Sequence, residues 1–134
     1  MADQALRGSC LCKAVQYEIR PPFIRFAHCY CSRCRKATGT ARATNIAVAL
    51  DQFKWISGEE LIHRYDLPEA RSFSTAICPR CNSPMPRPTR AREHMIVPSG
   101  SLDDAPPMGP SAHRQWGSRV RWAAIDESHL PCQE

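Results

Sequence analysis

The chain has 134 residues, which fits a single domain over 1–134 and leaves little room for a second. With 43% hydrophobic and 23% charged residues, it has the composition of a folded globular protein, which excludes the disordered and fibrous classes. Its formal net charge is +5. No apolar run is long enough for a membrane helix, and the N-terminal residues lack the apolar core of a secretory signal. We therefore expect a protein of the reducing cytoplasm.

Twelve prolines and six glycines divide the chain into short segments, which argues against long helices. Polar and apolar side chains alternate over 15–19, which predicts a strand that ends at Pro21-Pro22. Further strands are predicted at 44–50, 53–56, 61–65, 71–77, 95–97 and 119–122.

One short helix is predicted between Ser32, as its N-cap, and Gly39, which ends it. The segment 98–110 is predicted to be a loop ordered by hydrogen bonds between the backbone and the side chains of Asp103 and Asp104. The pattern as a whole predicts a mainly β, antiparallel domain. Its core would be small, so bound metal ions would help to stabilise it.

Eight cysteines dominate the chemistry of the sequence. Seven of them form three groups, which are Cys10-x-Cys12, Cys29-x-Cys31-x-x-Cys34 and Cys78-x-x-Cys81. Cys132 stands apart. In a reducing compartment, such groups are more often metal ligands or reactive thiols than disulfides.

The Cys78–Cys81 turn has the spacing that supplies two ligands to a tetrahedral zinc ion, and Cys10 with Cys12 would complete a set of four thiolates. A closed set of four would be structural. In the alternative, Cys10 and Cys12 are buried thiols and the other two form a redox pair. Redox pairs of this spacing open a helix, whereas three prolines closely follow Cys81, so we favour zinc.

The group of Cys29, Cys31 and Cys34 offers only three thiolates. A zinc ion with three protein ligands keeps a fourth position for water or substrate, which is typical of a catalytic metal. Two alternatives stay open. Either Cys132 or His28 completes the set and makes the site structural, or the three thiols act without metal.

The cysteine groups lie within longer motifs. These are Gly8-Ser9-Cys10-Leu11-Cys12, Cys29-Tyr30-Cys31-Ser32-Arg33-Cys34-Arg35-Lys36-Ala37-Thr38-Gly39, Cys78-x-x-Cys81, Pro98-Ser99-Gly100-Ser101-Leu102-Asp103-Asp104 and the spacing of His113, Ser118 and Trp122. Together they resemble the glutathione-dependent formaldehyde-activating enzyme family, which includes the centromere protein V group. Lys13 and Asn82 stand where the family usually has glycine, and asparagine tolerates the left-handed backbone that such a turn needs.

The resemblance implies an Mss4-like β-tent, a fold of short antiparallel sheets stapled by zinc with one or two short helices. Two zinc ions are implied, of which the second can be partly occupied. The implied ligands are Cys10, Cys12, Cys78 and Cys81 for a structural ion, and Cys29, Cys31 and Cys34 for a catalytic ion. Thiolate ligation of both ions would lower the net charge from +5 to about +2, which disfavours nucleic acid as a partner.

The implied activity is that of a carbon–sulfur lyase, which adds the thiol of glutathione to formaldehyde or a related carbonyl, or reverses that addition. Glutathione carries two carboxylates, so Arg33, Arg35 and Lys36 beside the catalytic cysteines are candidate substrate-binding residues. The alternative for them is a solvated cationic surface. His113 is a further candidate, for proton transfer.

A non-enzymatic zinc module that binds protein or nucleic acid is the competing hypothesis. The free fourth ligand position favours the enzyme, because a purely structural site gains nothing from it. The sequence also lacks a block of basic residues interleaved with aromatic ones, which would be typical of a single-strand binder.

Overall fold

The computed structural model of the protein describes residues 4–134. Its ten strands are β1 (Leu6–Ser9), β2 (Gln16–Ile19), β3 (Arg25–Cys29), β4 (Ala43–Ala49), β5 (Phe53–Ser57), β6 (His63–Asp66), β7 (Ser74–Ile77), β8 (Arg87–Pro88), β9 (His94–Pro98) and β10 (Ala112–Arg114). The helix α1 spans Ser32–Thr38. Five 3₁₀ helices span Leu50–Gln52, Glu59–Leu61, Ser99–Ser101, Trp116–Ser118 and Arg121–Ala124. None of the helices in the described range is both long and apolar enough to cross a membrane.

The strands form three short sheets, with the orders β1-β2-β5, β10-β3-β4-β9-β8 and β6-β7. The predicted mainly β class is therefore confirmed. The strand pairs are antiparallel except for β10, which runs parallel to β3. A parallel pair cannot be joined by a tight hairpin, and the long connection between β9 and β10 allows β10 to run in the same direction as β3.

Helix α1 begins one residue earlier than the sequence predicts. Cys31 is the N-cap, and its Sγ accepts a hydrogen bond from the backbone N–H of Cys34 at 3.3 Å. The expectation that Ser32 caps the helix is wrong, because Ser32 is already the first helical residue. Gly39 ends the helix as predicted, with φ at 72° and its N–H bonded to the carbonyl of Arg35.

Three predicted strands differ in the structure. The strand expected at 61–65 is displaced to His63–Asp66, because Leu61 ends a 3₁₀ helix. The strand expected at 71–77 starts only at Ser74, because the preceding loop curls back through a bond from the N–H of Leu67 to the carbonyl of Phe73. The strand expected at 119–122 is wrong. A local bond from the N–H of Ala123 to the carbonyl of Val120 forms a 3₁₀ turn there instead.

The main core lies between the first two sheets. It consists of Leu6, Tyr17, Ile19, Phe26, Ile46, Val48, Met95 and Val97. A second buried cluster contains Cys10, Val15, Cys78 and Met85. Two of the predicted metal ligands are therefore core residues.

The loop after β9 is bound to β1. The Asp104 carboxylate accepts a bond from the backbone N–H of Arg7 at 2.8 Å, and the Asp103 carboxylate accepts one from the Ser9 hydroxyl at 2.7 Å. The bond of Asp104 to a backbone N–H is as predicted, whereas Asp103 bonds to a side chain instead of the backbone. Both bonds tie the loop to β1.

Candidate functional site

The first cysteine cluster joins two turns that are far apart in sequence. Cys10 and Cys12 follow β1, and Cys78 and Cys81 follow β7. All four Sγ atoms lie within 4.8 Å of one another, with Cys10 and Cys12 3.6 Å apart and Cys12 and Cys78 3.8 Å apart. Tetrahedral coordination with Zn–S bonds of about 2.3 Å requires S···S separations of about 3.8 Å, so this donor set fits a zinc ion.

The two turns of this cluster have the same local design. Lys13 donates its N–H to the carbonyl of Cys10, and Asn82 donates its N–H to the carbonyl of Cys78. Both residues have a left-handed backbone, with φ at 70° for Lys13 and 63° for Asn82. These are the two positions at which the resemblance predicts glycine. The structure keeps the turn conformation without it, at the small cost that non-glycine residues have in this region.

Two thiols of this cluster have pKa values shifted in opposite directions. The Ser83 hydroxyl is the main cause that lowers the pKa of Cys81 to about 5. The N–H of Ala14 acts to lower the pKa of Cys12, but burial and the neighbouring sulfurs outweigh it and raise that pKa to about 11. Thiolates held this close together repel one another, and a bound metal ion would offset that repulsion.

The second cluster lies where β3 leads into α1. Cys29 is the last residue of β3, Cys31 caps the helix, and Cys34 is its buried residue. Their three Sγ atoms lie within 4.8 Å of one another, and the cluster includes neither His28 nor Cys132. Burial, followed by the two neighbouring cysteines, raises the pKa of the Cys34 thiol. Three thiolates fit a zinc ion that keeps one position free.

The three-cysteine cluster lies in a cleft of about 590 Å³, a typical size for a small-molecule site. Four arginines line this cleft, and they come from α1, the loop before β7, β8 and β10. They are Arg33, Arg71, Arg87 and Arg114. We call this the arginine cleft.

Arg87 is the most buried of the four arginines of the cleft. Burial lowers the pKa of Arg87 to about 10, so the side chain stays protonated at neutral pH. Its Nε donates to the Ser74 hydroxyl at 3.2 Å. A half-buried cation beside the cysteine cluster would stabilise negative charge in the cleft.

The candidate residues of the helix are placed differently from one another. Arg33 lines the arginine cleft. Arg35 uses its Nη1 to donate to the carbonyls of Tyr30 at 2.8 Å and Ser118 at 2.7 Å, which ties the helix to the chain after β10. Lys36 is exposed and is not among the residues that line the cleft.

His113 lies on the other side of the sheet. In the parallel register of β10 with β3, His113 is opposite His28 and Arg114 is opposite Cys29. Side chains alternate along a strand, so the histidine pair and the Arg114–Cys29 pair face opposite sides. The two histidine rings are stacked with centroids 5.5 Å apart, and Nδ1 of His113 is 2.8 Å from the Tyr30 hydroxyl. The structure therefore does not bring His113 to the cysteines.

Three residues of the cleft were missed at the sequence level. Arg71 and Arg87 lie far from the cysteine motifs along the chain, and no local signal marks them. Arg114 could have been proposed from the sequence, because it directly follows the candidate His113. Strand alternation allows only one of the two side chains to face a given side.

The fold and the two cysteine clusters define a class of small β proteins with two sites that could each hold a metal ion. The chain belongs to the family described as glutathione-dependent formaldehyde-activating enzyme, whose sequence model matches residues 5–119. The resemblance seen in the motifs is thereby confirmed. Membership implies a lyase-type enzyme that depends on glutathione and activates formaldehyde.

Solved structures include a similar fold. A crystal structure of a Rhodobacter sphaeroides protein superimposes with a TM-score of 0.61 and is 23% identical, with 76% of this chain and 92% of that chain covered. No curated protein matches the sequence at a significant level.

Proposed function

We propose that the protein is a zinc-dependent carbon–sulfur lyase, with Cys29, Cys31 and Cys34 at its reaction centre and glutathione as its thiol. In the forward direction, the thiol sulfur forms a bond to the carbonyl carbon of formaldehyde, and the carbon–oxygen π bond breaks. The thiol loses one proton and the new hydroxyl gains one, so the product is S-hydroxymethylglutathione and no redox agent is needed. The observation that carries the proposal is the three-cysteine cluster in the arginine cleft.

The cluster geometry supports the proposed division of the metal ligands. Cys10, Cys12, Cys78 and Cys81 would hold a closed structural zinc ion, and Cys29, Cys31 and Cys34 would hold the catalytic one. When held by these three cysteines, a zinc ion would lower the pKa of the substrate thiol, which would make a thiolate available near neutral pH.

The arginine cleft supplies the charge that this substrate requires. A glutathione thiolate carries two carboxylates and a charged sulfur, and Arg33, Arg71, Arg87 and Arg114 face the same space. Arginine binds carboxylates with two parallel hydrogen bonds, which orients them as well as attracting them. We assign the carboxylates to these arginines. Substrate contacts of Arg35, Lys36 and His113 stay predictions, since these residues do not line the cleft.

The rate at which the adduct forms and dissociates tests the proposal. With zinc-loaded protein, exchange between formaldehyde, glutathione and the adduct is measured by NMR exchange spectroscopy, against the uncatalysed rate. We expect clear acceleration by the wild type. We expect Arg71→Ala to raise the KM for glutathione by about tenfold, since one charge-assisted hydrogen bond contributes about 1.5–3 kcal/mol.

Arg121→Ala is the matched control, because it removes the same charge from an exposed position outside the cleft. It should leave the KM unchanged. Absence of acceleration in the fully zinc-loaded wild type would refute the enzyme proposal. Salt-dependent DNA binding by the same sample would then favour the non-enzymatic module.

A further inference from the structure

A second, smaller cavity lies directly behind the catalytic cysteines. It has a volume of about 100 Å³ and lies between α1, β4 and β7. It shares three lining residues with the arginine cleft, namely Cys34, Phe73 and Arg87. The two spaces therefore meet at a catalytic cysteine. We call the smaller one the rear cavity.

The walls of the rear cavity differ from those of the cleft. Ala37, Ala43, Ala76 and Ile77 supply much of its surface, together with two prolines. Ala43 and Ala76 are both buried, with 8% and 3% of their surface exposed. Polar side chains such as that of Asn45 also reach the wall. Arg87 also lines the cavity, but small side chains keep the space open and most of its wall is apolar, so it can accept an alkyl group.

Formaldehyde has no substituent that could use this space. A larger aldehyde, R–CHO, reacting at the cysteine cluster has its group R attached to the carbon that becomes bonded to sulfur. With the thiol and its carboxylates in the arginine cleft, the rear cavity is the apolar space that adjoins the same cysteine.

We propose that the rear cavity binds the alkyl substituent of a short aliphatic aldehyde, which makes such aldehydes substrates beside formaldehyde. This inference rests on the proposed function of the cleft. The step is the same addition: the C–S bond forms, the C=O π bond breaks, and one proton leaves sulfur while one is added to oxygen. The product is a hemithioacetal, RCH(OH)–SG, and no oxidant or reductant takes part.

The volume of the rear cavity sets the length of the alkyl group. A water molecule occupies about 30 Å³ in the liquid, so 100 Å³ holds about three groups of that size. An ethyl or propyl group fits, which corresponds to propanal or butanal. Longer chains exceed the space.

The first test compares a series of aldehydes with glutathione and the zinc-loaded wild type. For each aldehyde, kcat/KM is divided by the uncatalysed rate constant with the same thiol, which removes differences in electrophilicity. Because burying one methylene contributes about 0.8 kcal/mol, this acceleration should rise about fourfold per carbon from acetaldehyde to butanal. It should fall again for hexanal. An acceleration that does not change with the length of the aldehyde would overturn the proposal.

Filling the cavity supplies the second test. Ala43→Val adds two carbon atoms at the wall, which should lower the ratio of butanal to formaldehyde acceleration by about 16-fold. Ala49→Val is the control, since it makes the same change on the same strand at a residue that does not line the cavity. An equal ratio in both variants would contradict the proposal.

A binding measurement that needs no turnover separates this inference from the proposed function. Methyl NMR signals of Ala43 and Ala76 are recorded while the wild type is titrated with 1-butanol, and with methanol as the comparison. We expect saturable shifts of these signals with 1-butanol only. Their absence would overturn the cavity assignment even where formaldehyde is turned over, whereas failure of formaldehyde turnover alone would count against the proposed function. The wild-type titration also decides the matter if Ala43→Val fails to fold.

Discussion

Replacing Cys78 by serine should unfold much of the domain, whereas the same change at Cys31 should leave it folded. Cys78 has none of its surface exposed and packs with Val15 and Met85 in the second core cluster. Serine is a poor zinc ligand, so Cys78→Ser would leave the three remaining sulfurs close together without a bound cation. Any thiolates among them would then repel one another. The fold would lose the link between the turns after β1 and β7.

The expected magnitudes differ widely between the two sites. Metal binding supplies on the order of 10–16 kcal/mol in zinc-finger peptides, and a domain has a free energy of unfolding of about 5–15 kcal/mol. Loss of the structural ion would therefore remove most or all of the stability. At Cys31, a serine oxygen can still accept a hydrogen bond from the N–H of Cys34 and cap α1. We therefore expect Cys31→Ser to change the free energy of unfolding, measured without metal at this site, by about 1 kcal/mol or less.

The assay combines zinc content by mass spectrometry with urea unfolding followed by circular dichroism. The two clusters predict two zinc ions per wild-type chain and one in Cys31→Ser. Cys132→Ser is the matched control, because Cys132 is exposed and belongs to neither cluster. Equal loss of stability and zinc in Cys78→Ser and Cys31→Ser would refute the division into a structural and a catalytic site.

Two further pairs of substitutions test the support of the site and the packing of the core. Nη1 of Arg90 lies 2.9–3.3 Å from three carbonyls of the 67–73 loop, which carries Arg71 to the cleft. Arg90→Lys and Arg90→Ala should therefore each raise the KM for glutathione about tenfold with little change in kcat. A tenfold loss of kcat in these variants would contradict a role in positioning Arg71. A Cβ at Gly8 would overlap the buried ring of Tyr17, so Gly8→Ala should lower the free energy of unfolding by about 3 kcal/mol in urea titrations. Gly100→Ala, which has open space at its Cβ, should be nearly neutral; similar losses in both would show that the overlap is relieved cheaply.

The three cysteine groups could be predicted because each lies within a short stretch of backbone. The meeting of the turns after β1 and β7 is a contact between distant segments, which was inferred from the need of zinc for four ligands. A Cys-x-x-Cys turn brings two sulfurs together whatever the rest of the fold does, and zinc requires four ligands or three with one position free. The helix from Ser32 to Gly39 was predictable for the same reason, apart from its cap. The 3₁₀ turn found in place of the strand expected at 119–122 was not predictable. A short apolar segment becomes a strand only when a sheet edge pairs with it.

The chemistry of the cleft depends on contacts between distant parts of the chain. Arg71, Arg87 and Arg114 meet beside the cysteines only because a curled loop, an edge strand and a parallel strand end at one place. The sequence by itself indicated the family, the three cysteine groups and the β class, because these follow from motifs and residue spacing. Tertiary structure decided which cations face the sulfurs and that His113 does not. The physical reason is register: a shift of one residue along β10 would exchange the faces of His113 and Arg114, and only the packed sheet fixes that choice.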